Sequence, residues 1–99
     1  MPNMIHGGYQ LAHMEACSLP EQVATGFSMA IGSMVGAKYE PVLYVGTQVV
    51  HGTNHMLICK QTLAVAGAPE HLVKMVLNQN CDGGDIVGSW SIVSIEEIV

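Results

Sequence analysis

The sequence predicts an α+β fold in which one long helix packs on a curled, five-stranded antiparallel sheet. The first observation is an amphipathic segment after Ser18, where apolar residues recur at steps of three and four. The second is a series of β-rich runs separated by short turns, which is typical of an antiparallel meander. Because the chain has 99 residues, we expect a single domain that covers residues 1–99.

The helix is expected to begin near Ser18 and to end at Gly36. Ser18 is a candidate N-cap, Glu21 follows three residues later as in a capping box, and Pro20 is tolerated in the first turn. Met29 is expected to fill space in the core. The apolar face that should pack on the sheet consists of Val23, Phe27, Ala30, Ile31, Met34 and Val35.

Five runs of residues are predicted to be strands, and the first of them precedes the helix. They are residues 9–15, 39–50, 54–65, 71–78 and 86–96. Residues 67–70 should form a loop because Pro69 cannot continue a central ladder. Residues 82–84 should form a hairpin turn because an Asp-Gly pair accepts positive φ.

Composition and charge exclude several classes of function. Three lysines against eight acidic residues give a net charge of -5, so we expect no nucleic-acid partner. There is no apolar run of about 18 residues and no secretion signal, so we expect a soluble, unprocessed chain without a membrane partner. Cys17, Cys59 and Cys81 are odd in number and widely spaced, which favours free thiols in a reducing compartment.

Residues 47–54 lie between two apolar stretches and are predicted to form the tip of a β-hairpin. Gly52 accepts backbone conformations that other residues avoid. At such a tip, the chain's own fold would leave Val49 and Val50 unburied, which suggests a docking surface. The alternative is an ordinary tight turn whose valines lie in the core.

The N-terminal segment carries apolar residues followed by paired glycines, Met4-Ile5-His6-Gly7-Gly8. Adjacent glycines lower the tendency to regular structure and let the backbone approach another surface closely. The alternative interpretation is a frayed terminus.

Catalytic and metal sites are not expected. His51 and His55 are four residues apart, which on a strand is roughly 13 Å at 3.3 Å per residue, so they cannot share a metal ion. The same spacing separates His55 from Cys59, which argues against a nucleophile and base pair. We therefore expect neither an enzyme nor a cofactor, and Cys59 should pack as a small apolar group.

Several of these features together resemble the cystatins, and in particular their cytoplasmic stefin branch. The run Gln48-Val49-Val50-His51-Gly52 reproduces the Gln-x-Val-x-Gly hairpin of that family, and residues 4–8 are similar to its apolar trunk with paired glycines. The order of one strand, a helix and four strands is also similar. The resemblance implies a reversible, non-covalent competitive inhibitor of papain-like, cathepsin-type cysteine proteases.

In cystatins the N-terminal trunk and two hairpins form a wedge that enters the protease cleft. The protease-binding residues that the resemblance implies here are Gly7, Gly8, Gln48, Val49, Val50, His51, Gly52, Asn80, Cys81, Asp82, Gly83 and Gly84. The protein is expected to be a monomer that can also form a domain-swapped dimer.

Two features depart from the family pattern. The second hairpin is polar where the family usually carries a Pro-Trp or Leu-Pro element, and His51 stands where a small residue is common. The alternative function is a cystatin-fold interaction or assembly module without inhibitory activity.

Overall fold

A computed structural model describes residues 9–80 and 89–99, and this part of the chain contains one helix and four strands. The helix α1 (Glu21–Ile31) precedes all the strands, which are β1 (Ala37–Val50), β2 (Gly52–Leu63), β3 (Glu70–Asn80) and β4 (Ser89–Glu97). The strands form an open antiparallel sheet in the order β1-β2-β3-β4. The predicted α+β class is therefore confirmed.

The prediction of a fifth strand at residues 9–15 is wrong, because the sheet has four strands in the described part of the chain. The partly buried residues in this region are Leu11, Met14 and Cys17. That spacing of three does not match the two-residue repeat of a strand. The segment is joined to the outer edge of β1 where the Cys17 N–H donates a hydrogen bond to the Pro41 carbonyl at 3.0 Å.

The helix is shorter than predicted at both ends. Pro20, not Ser18, is the N-cap residue, and no side chain caps the first turn. Pro20 is extended, with ψ 144°, and its carbonyl accepts the first helical hydrogen bond from Ala24 at 2.8 Å. The helix ends at Ile31, and the predicted end, Gly36, adopts φ +91° immediately before β1. Glycine suits this point because it tolerates positive φ without steric strain.

The helix packs against β3 and β4 through fewer residues than its sequence pattern indicated. Val23 and Phe27 are buried, while Ala30 and Ile31 are only partly buried. Met29 is 54% exposed, so its predicted place in the core is wrong. Val35, also predicted for the apolar face, lies beyond the helix and is exposed.

The core lies between the helix and one face of the sheet. Alternate residues of β2 and β3 point to this face and are completely or almost completely buried: Leu57, Cys59, Val73, Met75 and Leu77. The expectation that Cys59 packs as a small apolar group is confirmed. The opposite face carries ion pairs far from the hairpin tip, including Lys74 with Glu96 at 3.1 Å and Lys60 with Glu40 at 3.7 Å.

The connection between β2 and β3 forms the predicted loop, although Glu70 already belongs to β3. Gly67 has φ +83° and Ala68 has φ +40°, so the chain reverses through two left-handed residues before Pro69. The described part of the chain contains no helix that is long and apolar enough to cross a membrane.

Candidate functional site

The tip of the β1–β2 hairpin is the most exposed apolar feature of the sheet. Val50 pairs directly with Gly52, so His51 alone occupies the turn between the two strands. Val49 is 87% exposed and Val50 is 43% exposed. The predicted hairpin is thus present, and its valines lie outside the core. The structure does not support the alternative in which they are core residues.

Gly52 holds this tip against the end of β3. Its φ of +88° lies in the left-handed region, which glycine adopts without strain. A Cβ atom at this position would collide with the backbone carbonyl oxygen of Gln79. Thr53, the residue after Gly52, lies directly opposite Gln79 in the sheet. The first hairpin can therefore approach β3 this closely only with glycine at position 52.

A buried polar network supports the tip from the side of the helix. His55 is 6% exposed and Gln79 is 8% exposed, and their Nε2 and Oε1 atoms are 3.0 Å apart. The Tyr44 hydroxyl lies 2.8 Å from Nδ1 of the same histidine. The His55 ring also lies against Trp90, with ring centroids 4.8 Å apart. This network joins β1, β2, β3 and β4 within a few residues of the tip.

A row of amide side chains supports the tip from the opposite, helix-free face. Asn78 Nδ2 donates to Asn54 Oδ1 at 3.0 Å, and Asn54 Nδ2 donates to Gln48 Oε1 at 3.4 Å. Asn78 Nδ2 also lies 3.4 Å from the backbone carbonyl of His51, to which it donates. The turn residue is therefore tied by a side chain of β3 as well as by its own strands.

A cavity of about 360 Å³ lies beside the tip on the helix-free face. Its apolar wall is formed by Val45, Met56 and Val76, and its polar wall includes Gln48 and Asn54. The β1 strand is irregular here, since its register with β2 shifts between Tyr44 and Gly46. The cavity is continuous with the predicted docking residues because Gln48 belongs to both.

The strand ends bring part of the predicted site to one end of the sheet. Because the sheet is antiparallel, β3 ends at Asn80 and β4 begins at Ser89 beside the tip of the first hairpin. Asn80 therefore lies near Gly52, in whose neighbourhood its Cα atom is found. The other predicted protease-binding residues lie outside the described residues: Gly7, Gly8, Cys81, Asp82, Gly83 and Gly84.

His55 and Gln79 support the site but are not among the residues predicted from the sequence. The available signal was the two-residue repeat of β2, which places His55 on the same face as the buried Leu57 and Cys59. The partner Gln79 is 24 residues away, so no local pattern identifies it. Among the described residues, no group of three potential metal ligands is found.

Cys59 lies in the core below the site and is chemically inert there. The pKa of its thiol is raised to about 12, chiefly by burial and secondarily by the nearby Cys17. Both cysteines are free thiols. Since the thiolate is the reactive form, Cys59 is not suited to act as a nucleophile at neutral pH.

The described residues thus define an α+β protein with one helix on an open antiparallel sheet and a supported, exposed hairpin tip. No family model, curated protein or solved structure matches the chain.

Proposed function

We propose that this chain is a cystatin-like protein of the stefin type that inhibits papain-like cysteine proteases. Inhibition would be reversible, competitive and non-covalent, with the β1–β2 hairpin tip entering the active-site cleft. The observation that carries the proposal is the exposure of Val49 and Val50 within the motif Gln48 to Gly52. Exposed aliphatic side chains at the end of a supported hairpin favour burial against a partner.

The geometry of the tip supports a rigid docking element. Gly52 packs on the backbone of Gln79, and the carbonyl of His51 accepts a hydrogen bond from Asn78. Because these contacts exist in the free protein, little conformational freedom would be lost when the tip binds. A preformed tip of this kind can present its valines to a cleft without first reorganising.

The proposed mechanism has no catalytic step. The tip would place backbone and small apolar side chains beside the protease cysteine without offering a peptide bond in the geometry that attack requires. Gly7 and Gly8 would let the N-terminal trunk follow the non-primed side of the cleft. Asn80 and the polar segment of Cys81, Asp82, Gly83 and Gly84 would contact the primed side. A polar loop contributes less apolar burial, so the first hairpin would supply most of the affinity.

A second candidate function is an interaction or assembly module of the same fold without inhibitory activity. The observation that favours it is the exposure of Leu43 and Val45, at 53% and 51%, on the same strand as the tip. These residues extend the exposed apolar surface along β1, beyond the part that would enter a protease cleft. Free Cys17 and Cys59 agree with a cytoplasmic location for either function.

Titration of active papain with the purified protein tests the proposal. We expect peptidase activity to fall toward zero near one equivalent, to recover on dilution, and to require more inhibitor at higher substrate concentration. Mass spectrometry of the recovered protein should show an intact chain, because the tip offers no cleavable bond. Full papain activity in a large molar excess of the native, folded protein would overturn the inhibitor proposal and favour the assembly module.

A further inference from the structure

We infer that His55 is a positioning residue that fixes the shape of the hairpin tip through Gln79. No part of the cystatin resemblance assigns a role to this position. The inference about tip geometry is independent of the inhibitor proposal, and its consequence for inhibition rests on that proposal.

The hydrogen-bond directions in the network follow from the chemistry of its groups. The Gln79 side-chain oxygen can only accept, so His55 Nε2–H is the donor across their 3.0 Å separation. In the neutral imidazole the other nitrogen, Nδ1, is then the acceptor, and the Tyr44 hydroxyl donates to it over 2.8 Å. One tautomer of His55 therefore satisfies both partners at the same time.

The ring has no freedom to turn away from Gln79. Its side chain is 6% exposed, and one face lies against the Trp90 indole at a centroid distance of 4.8 Å. The indole in turn contacts the helix at Gly26, where even a Cβ atom would collide with it. The orientation of His55 is thus determined by packing from β4 and, through Trp90, from α1.

Gln79 transmits this orientation to the tip. Its side chain is held by His55, while its backbone carbonyl oxygen lies directly below Gly52. Without the histidine donor, Gln79 would lose the bond that ties its buried side chain to β2, and this bond would no longer hold the end of β3 in its present position. A displacement of Gln79 would change the surface on which Gly52 packs, and with it the position of Val50 and His51.

The test compares His55→Leu with His55→Gln. The leucine variant removes the donor and keeps an apolar side chain in the core. The glutamine variant carries an amide N–H that can replace Nε2–H. Gln79→Met removes the same bond from the other side, so it decides the question if His55→Leu does not fold. His71→Leu is the matched control, because His71 is a partly buried histidine at the opposite end of the sheet.

The first measurement is amide hydrogen exchange by NMR at Val49, Val50, His51 and Thr53 in the free protein. Loss of one hydrogen bond to a buried amide corresponds to roughly a tenfold change in the local opening equilibrium. We therefore expect about tenfold faster exchange at the tip in His55→Leu and Gln79→Met, and near-native exchange in His55→Gln and His71→Leu. Amides of the central pair Cys59 and Val73 report any loss of global stability, and the change at the tip is measured relative to theirs.

The second measurement is the inhibition constant against papain, which should rise in the two bond-deleting variants and return toward the native value in His55→Gln. If native protein does not inhibit papain, the proposed function fails, and the exchange data still decide the role of His55. Unchanged tip exchange in a folded His55→Leu or Gln79→Met protein overturns the inference. Equally fast tip exchange in His55→Gln and His55→Leu does so too.

Discussion

The indole of Trp90 lies so close to the Cα atom of Gly26 that the helix can carry no side chain at this point. Glycine inside a helix is normally unfavourable relative to alanine by about 0.8 to 1.0 kcal/mol. Here the absence of a side chain at Gly26 allows α1 to approach β4 closely and to cover Trp90, which is 9% exposed. The same tryptophan supports the ring of His55, so the helix contact and the hairpin site share one residue.

Gly26→Ala should destabilise the protein even though alanine favours helix formation. The added methyl group would displace the Trp90 ring, and overpacking of this kind typically destabilises by about 1 to 3 kcal/mol. Urea unfolding followed by circular dichroism measures the effect. Gly32→Ala is the matched control, because its Cβ would meet only two backbone carbonyl oxygens, those of Ser28 at 3.1 Å and Met29 at 3.6 Å. A Gly26→Ala protein more stable than the native one would contradict the close contact.

Val49→Asp should weaken inhibition of papain without loss of fold. Val49 is 87% exposed in the free protein, so the substitution removes no core contact. In the proposed complex the carboxylate would be buried without a partner, which should raise the inhibition constant about thirtyfold or more, since burial of an unpaired polar group costs at least about 2 kcal/mol.

The matched control for this prediction is Val35→Asp, because Val35 is 92% exposed and lies between α1 and β1, outside the hairpin. It should inhibit like the native protein. Equal inhibition by the Val49→Asp and native proteins, with identical circular dichroism, would mean that the tip does not enter the cleft. Gly52→Ala is a poorer probe of docking, because its methyl group would collide with Gln79 inside the free protein.

Gly52→Val should increase the fraction of domain-swapped dimer. Valine at φ +88° is strained, and its side chain would collide with the Gln79 carbonyl while the hairpin is closed. Opening the hairpin into one continuous strand relieves both problems, and the strand can then pair with a second copy. Size-exclusion chromatography at several protein concentrations measures the dimer fraction, and the dimer should not inhibit papain because the tip no longer exists as a turn.

Gly36→Val is the control that distinguishes backbone strain at the hairpin tip from backbone strain elsewhere in the protein. Gly36 has φ +91°, almost the same as Gly52, but a Cβ atom there would meet nothing within 4 Å. This control should be destabilised yet remain as monomeric as the native protein. A dimer fraction as high in Gly36→Val as in Gly52→Val would show that strain at the hairpin is not what drives exchange.

The stability of the protein should fall in alkaline solution because of Cys59. Burial raises the pKa of this thiol from its ordinary value of 9.0 to about 12 in the folded state. Between these two values the unfolded chain releases the thiol proton while the folded chain keeps it, so stability is full below pH 9 and decreases as pH rises. The free energy of unfolding should fall by up to about 1.4 kcal/mol per pH unit in this range.

Urea unfolding of the native protein and of Cys59→Ala at a series of pH values measures this contribution. The alanine variant will be less stable at neutral pH because it leaves a cavity, but its stability should depend less steeply on pH above 9. The comparison removes the titration of lysines and tyrosines, which both proteins share. Parallel pH profiles for the two proteins would show that Cys59 does not titrate as its burial requires.

The sequence by itself determined that one helix is followed by four strands and where the central hairpin turns. Its three- and four-residue repeat gave α1, its β-rich runs gave β1 to β4, and Gly52 with the flanking valines indicated an exposed tip. These are local properties, because backbone geometry repeats over a few residues and sets the spacing of buried side chains. The α+β class followed from the same local patterns.

Only the tertiary structure decided the number of strands, the ends of the helix and the buried network below the tip. Residues 9–15 have some alternation of apolar and polar residues, but a strand forms only where it can pair with the edge of a sheet. The backbone hydrogen bond to the edge of β1 comes instead from Cys17, which donates to the Pro41 carbonyl. His55 meets Gln79 across 24 residues of chain, and Gly26 meets Trp90 between α1 and β4. Such contacts are set by strand register and by the packing of whole elements, which a local sequence pattern does not contain.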